Sequence, residues 1–127
     1  MTEPLWLTAD QVKLVQERHL KRFGGSPGVR DADALEVALS RPMNMFLFGE
    51  QDLAVLAAAL AFNLARHRPF VDGGKRIAFL AMMAFLRRNG VAFRPTAADA
   101  SIMFLALTAG EATEDALLAW VRENWPE

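Results

Sequence analysis

The chain has 127 residues, a formal net charge of −1, 53% hydrophobic residues and no cysteine. This length and apolar content suit one domain over 1–127 with a sizeable core, and the balanced charge argues against direct nucleic-acid binding or attraction to a membrane surface. Without cysteine there is no disulfide framework and no thiolate metal site, which suits a cytoplasmic protein. Residues 1–4 lack the flank and apolar run of a signal peptide, and the long apolar runs fall short of the roughly 18 residues of a membrane span.

Thr8 and Gln11 form a Thr-x-x-Gln capping box that predicts a first helix, continued by Val12, Val15, His19 and Leu20 and closed by Gly24 and Gly25. His19 reads as a structural residue of that amphipathic helix. Arg22 either favours the helix C-terminus electrostatically or points at an anion. Residues 24–28 read as a loop. Asp31 caps a second helix to about Arg41, with Leu35, Val37, Ala38 and Leu39 as its apolar side, and Pro42 is expected to stop it. Residues 43–50 show no helical period. They predict a short hairpin, an extended flap or a loop tucked over the core. Met43, Met45, Phe46 and Phe48 are the partner-docking candidates there, because an exposed apolar strand edge is a peptide-binding device.

Asp52 caps a third helix to about Arg66. The fourth, about 74–89, is apolar almost all round, so other helices should surround it. Arg87, Arg88, Asn89 and Gly90 end it in the expected manner. Residues 91–95 make a brief extended crossing. Thr96 caps a fifth helix that ends near Gly110, and Thr113 starts a sixth that ends before Pro126. The predicted fold is all-α: a compact bundle of about six helices around a central apolar helix, with one small flap hairpin as an option.

Between the third and fourth helices lies His-Arg-Pro-Phe-Val-Asp-Gly-Gly-Lys-Arg, residues 67–76. Arg66, Arg68, Lys75 and Arg76 gather here around one acid, Asp72. Pro69 disfavours helix at Arg68. Gly73 and Gly74 let the backbone approach a ligand, and the free N–H groups of the next helix then face it. With the helix dipole and two cations in the first turn, the stretch reads as an anion site, and a phosphate chain is the anion expected. The alternative is a tight connection with solvated Lys75 and Arg76. His19 and His67, the only histidines, lack metal-ligand spacing, so no metal held by protein ligands alone is expected.

Pro69-Phe70-Val71-Asp72-Gly73 followed by Lys75-Arg76 resembles the signature of the Fic/Doc (Fido) family, His-Pro-Phe-x-Asp/Glu-Gly-Asn-Gly/Lys-Arg. Residues 22–28 and 35–42 resemble the upstream segments of its Doc (death-on-curing) branch. The resemblance implies an all-helical fold with the motif between two central helices. It implies transfer of a phosphate-containing group from ATP, with magnesium, to a hydroxyl of a target protein. In the Doc branch this means phosphorylation of elongation factor Tu by a toxin that an antitoxin restrains; most other relatives transfer AMP. Lys75 stands where Doc-type chains carry lysine, which points toward phosphoryl transfer. By the same resemblance Lys75 and Arg76 hold phosphates, and the local charge and backbone add Gly73, Gly74, Arg22 and Arg66 as candidate phosphate-binding residues. Asp72 assists magnesium or the attacking hydroxyl, and residues 43–50 are the flap that docks the target. Two positions depart from the signature. Its histidine, the proton acceptor, falls on Arg68, and its asparagine falls on Gly74. Arginine is no base at neutral pH, so the resemblance implies a weakened transferase or a nucleotide- or partner-binding protein. His67, one place earlier, is the candidate substitute base.

Overall fold

A computed structural model describes residues 2–126. It contains six helices: α1 (Ala9–Phe23), α2 (Ala32–Leu47), α3 (Leu53–His67), α4 (Gly74–Arg88), α5 (Ala97–Thr108) and α6 (Glu114–Glu123). There is no strand among the described residues, only an isolated antiparallel bridge between Val29 and Phe70. The all-α expectation holds, and the caps fall where the side chains place them. Thr8 and Gln11 close a reciprocal capping box, and Asp31, Asp52, Thr96 and Thr113 each accept a first-turn backbone N–H. Such caps satisfy donors that would otherwise be orphaned at the helix start.

The helix at the centre is α3 rather than α4. Ten of its fifteen residues are buried, six of them alanine, and it packs against α2, α4, α5 and α6. Small side chains on every face let four neighbours approach. Although α4 is comparably apolar, it leaves Phe79 only partly covered and Leu80 exposed. That uncovered side forms part of a cleft described below.

Pro42 does not stop α2, which runs through it to Leu47. The proline removes the N–H that would bond to the Ala38 carbonyl, at a cost of up to about 3 kcal/mol inside a helix. Burial of Pro42 and the packing of Met45 and Phe46 against the core offset that loss. Phe46 meets Trp6 edge to face at 5.8 Å, and Trp6 stacks on Phe85. Gly49, at φ 110°, then ends the helix, donating to the Phe46 carbonyl while Glu50 donates to that of Met45. No hairpin or extended flap forms. Met43 is exposed on the last turns of α2, and Phe48 is its 94% exposed C-cap.

Candidate functional site

The loop joining α3 to α4 is clamped by the loop joining α1 to α2. Arg30 and Asp31 donate backbone N–H groups to the Pro69 carbonyl at 2.7 and 3.1 Å, and Val71 donates to Gly28 at 3.1 Å. Buried Gln16 spans both loops: its amide nitrogen donates to the Gly28 and Asp72 carbonyls, and its amide oxygen accepts from Gly28. The Asp72 carboxylate accepts the Ser26 N–H at 2.7 Å. Gly25, at φ 121°, has to be glycine here. A Cβ would stand 2.8 Å from Leu20 Cδ2 and 3.3 Å from Asp72 Oδ2. Asp72 therefore faces the opposite loop, and among the described residues no cation lies within ion-pairing distance of it.

Arg68, where the resemblance places a proton acceptor, is the C-cap of α3. It is the only non-glycine with positive φ (46°) among the described residues. Its guanidinium donates to the Thr108 carbonyl at the end of α5. Arg30 in turn donates to the carbonyls of Arg68 at 2.6 Å and His67 at 3.4 Å, which satisfies the end of α3 and holds the left-handed turn.

Gly73, at φ 82°, opens α4 without a side-chain cap. The N–H groups of Gly74, Lys75 and Arg76 thus make a first turn with no acceptor among the described residues. Two clefts flank this turn and share Lys75. The smaller, about 330 Å³, is lined by Arg30, Arg68, Asp72, Gly73, Gly74 and Thr108. The larger, about 470 Å³, lies between α1, α4 and α5; His19, Arg22 and Arg76 sit at its charged end, and Phe79, Leu80 and Phe104 at its apolar end. Arg22 and Arg76 both stack on the Phe23 ring, their guanidinium carbons 5.4 and 4.7 Å from its centre. The two ion pairs among the described residues, Arg41–Glu114 and Arg122–Asp52, are elsewhere. Arg22, Arg30, Arg68, Lys75 and Arg76 are thus positive groups without a carboxylate partner among the described residues.

The sequence-predicted site is therefore gathered in part. Gly73, Gly74, Lys75, Arg76, Arg22, Asp72 and Arg68 come together around the start of α4. Arg66 does not: its guanidinium lies over Phe62 of its own helix, 5.4 Å from the ring centre. His67 is exposed and lines neither cleft. Met43, Met45, Phe46 and Phe48 lie on the end of α2, outside both clefts. Sequence reasoning missed Arg30 and His19. The only signal for Arg30 was a cation beside a helix cap. For His19 it was the spacing to Arg22 and Phe23, three and four residues on, which puts all three on one helix face. Burial first, and the Arg76 charge second, hold the His19 imidazole below its ordinary range.

No group of three His, Cys, Asp or Glu side chains among the described residues can hold a metal ion. Asp72 is the one carboxylate lining the smaller cleft. That donor set fits a magnesium ion carried mainly by substrate phosphates, with a single protein carboxylate to assist. Among the described residues no helix is long and apolar enough to cross a membrane.

A family model described as the Fic/DOC family matches residues 6–86, from the N-terminal segment almost to the end of α4. The chain is 29% identical over 121 residues to the protein named protein kinase doc of Escherichia phage P1, covering 93% of this chain and 90% of that one. It is 43% identical over 72 residues to toxin Doc of Mycolicibacterium smegmatis, covering 54% of this chain and 55% of that one.

Proposed function

The chain belongs to the Fic/Doc family, and on that premise we propose that it transfers a phosphoryl group from ATP to a hydroxyl of a target protein. The setting is a toxin–antitoxin pair in the cytoplasm, with a translation factor of the elongation factor Tu type as target and an antitoxin as restraining partner. Similarity to proteins named protein kinase doc and toxin Doc supports this reading. The exposed Leu47 and Phe48 at the end of α2 offer apolar surface to a partner. One observation carries the proposal. Lys75, Arg76 and Arg22 converge on an uncapped helix start without a carboxylate to neutralise them. Like charges beside the positive end of a helix dipole repel, and a polyphosphate relieves that repulsion. Phosphoryl transfer depends mainly on positioning and charge stabilisation, which such a site supplies. Asp72, the carboxylate lining the smaller cleft, would help hold a magnesium ion, which would supply charge neutralisation for the phosphates.

A second reading is a nucleotide-binding protein of the same fold without transfer. It is favoured by Arg68, which occupies the place of the signature's base and is bound to Thr108. Incubation with a cell extract and purified elongation factor Tu, using ATP labelled at the γ or the α phosphate, separates the readings. Protein-bound γ label is the expected result. Label from the α phosphate alone indicates AMP transfer, and no label with tight ATP binding indicates the second reading.

A further inference from the structure

The proposed transfer needs a group to take the hydroxyl proton, and Arg68 stays protonated at neutral pH. His67 is exposed and lines neither cleft. Resting on the transferase reading above, we propose that His19 is the proton acceptor, working from the larger cleft beside Gly73, Lys75 and Arg76.

Four observations place it there. His19 is only 9% exposed, yet neither ring nitrogen has a hydrogen-bond partner among the described residues. No unpartnered side-chain nitrogen or oxygen is sealed from solvent among the described residues, so its nitrogens open toward the cleft that the ring lines. The ring lies directly against the motif loop. A Cβ on Gly73 would stand 3.1 Å from His19 Cδ2 and 3.6 Å from Nε2. The ring also shares the cleft with Arg22 of its own helix and with Lys75 and Arg76 of α4, while α5 contributes only Ser101 and apolar groups. Phe23 packs against the imidazole, the ring centres 4.9 Å apart.

The surroundings suit a base. Burial first, and the Arg76 guanidinium second, favour the neutral imidazole, the form that can accept a proton near pH 7, and the charged groups lining the cleft with it are cations. In the step, the target hydroxyl oxygen bonds to the γ-phosphorus of ATP while the bond from that phosphorus to the bridging oxygen breaks. The hydroxyl proton passes to a His19 ring nitrogen, and ADP leaves with the bridging oxygen. His19 then releases the proton to solvent through the cleft. Lys75 and Arg76 stabilise the charge on the phosphoryl oxygens as it develops.

The test uses the full chain with magnesium-ATP and elongation factor Tu, comparing parent with His19→Asn. In parallel, the His19 Cε1–H resonance is titrated by NMR in the parent. We expect kcat to fall by about 10²–10⁴-fold with KM for ATP changed less than about threefold. In the parent, the acid limb of kcat/KM for ATP, which reports the nucleotide-free enzyme, should share its midpoint with the NMR titration of His19 in the nucleotide-free chain, below the ordinary value of 6.5. Should His19→Asn not fold, that coincidence decides the matter alone. A loss of less than about tenfold, or an acid limb that does not track His19, overturns its role and leaves the transferase reading standing. A parent that transfers neither label overturns the transferase reading and the role of His19 with it.

Discussion

Two clefts meet at Lys75, and they differ in what their side chains are already bonded to. In the smaller, Arg68 donates to Thr108, Arg30 donates to the end of α3, and Asp72 accepts from Ser26. In the larger, Arg22 and Arg76 lie over the Phe23 ring, and neither they nor His19 make a side-chain hydrogen bond among the described residues. The motif loop thus uses most of its polar side chains to hold its own shape. The groups free to bind and react sit on α1 and the first turn of α4. A motif read along the chain points to the first cleft. Hydrogen-bond accounting points to the second, because a donor already committed to the protein must break that bond to serve a ligand.

The largest effect that sharpens this contrast is expected from Arg76→Ala. Hydrogen bonds from a charged group contribute about 1.5–3 kcal/mol. Affinity for magnesium-ATP by calorimetry should therefore fall by roughly 10- to 100-fold. Unchanged affinity would mean that the phosphates do not reach the larger cleft.

Gly73→Ala comes next. The new Cβ would stand in a left-handed backbone and 3.1 Å from His19. The backbone penalty alone is about 1–2 kcal/mol, so the melting temperature should drop by several degrees. The NMR signals of His19 should shift as well. A drop in stability with no change at His19 would separate the ring from the loop and weaken the link between the clefts.

Arg68 tests the smaller cleft with two substitutions. Arg68→Ala loses the bond to Thr108 and keeps a left-handed non-glycine backbone, whereas Arg68→Gly loses the bond and relieves the strain. The glycine variant should be more stable than the alanine variant by about 1 kcal/mol in urea unfolding. The reverse order would show that Arg68 is not held in that turn.

How far the sequence could be read follows from which interactions are local. Every side-chain N-cap was legible, because the capping side chain and the backbone N–H it accepts from lie two or three residues apart. The glycine-rich start of α4 and its cations were legible for the same reason. Pro42 was misread because its cost is local while its compensation, the contacts of Phe46 and Trp6, spans forty residues. Gly49 held the missed signal: it reads equally as a turn that closes a flap and as a helix stop. Arg66 was gathered into the site by sequence proximity, yet it lies on a different face of α3 and meets Phe62. His19 was read as structural because nothing near it in sequence shows that Gly73 and Arg76 will lie against it.

The smallest effect is the pH dependence of stability, and it probes the larger cleft without any nucleotide. Burial and the Arg76 guanidinium hold His19 below 6.5 in the folded chain. On unfolding the ring returns to its ordinary value, so between those two values the unfolded state binds more protons. Stability from this group is then fully present above about pH 7.5 and is lost as pH falls through 6.5 toward the lowered value, below which it changes no further. Arg22 and Lys75 line the same cleft and, like Arg76, carry positive charge, which disfavours a charged imidazole. Melts of the parent and His19→Asn at about pH 7.5 and about pH 5.5 isolate the contribution, because other groups titrating in that interval are common to both chains. The parent should lose more stability than the variant. Adding inorganic phosphate should shrink the difference, since an anion beside Arg76 offsets one cause of the lowered value and raises the titration of His19. Equal losses in parent and variant would mean that the ring is exposed to solvent in both states, and the larger cleft would then lack the enclosed imidazole that distinguishes it from the smaller one.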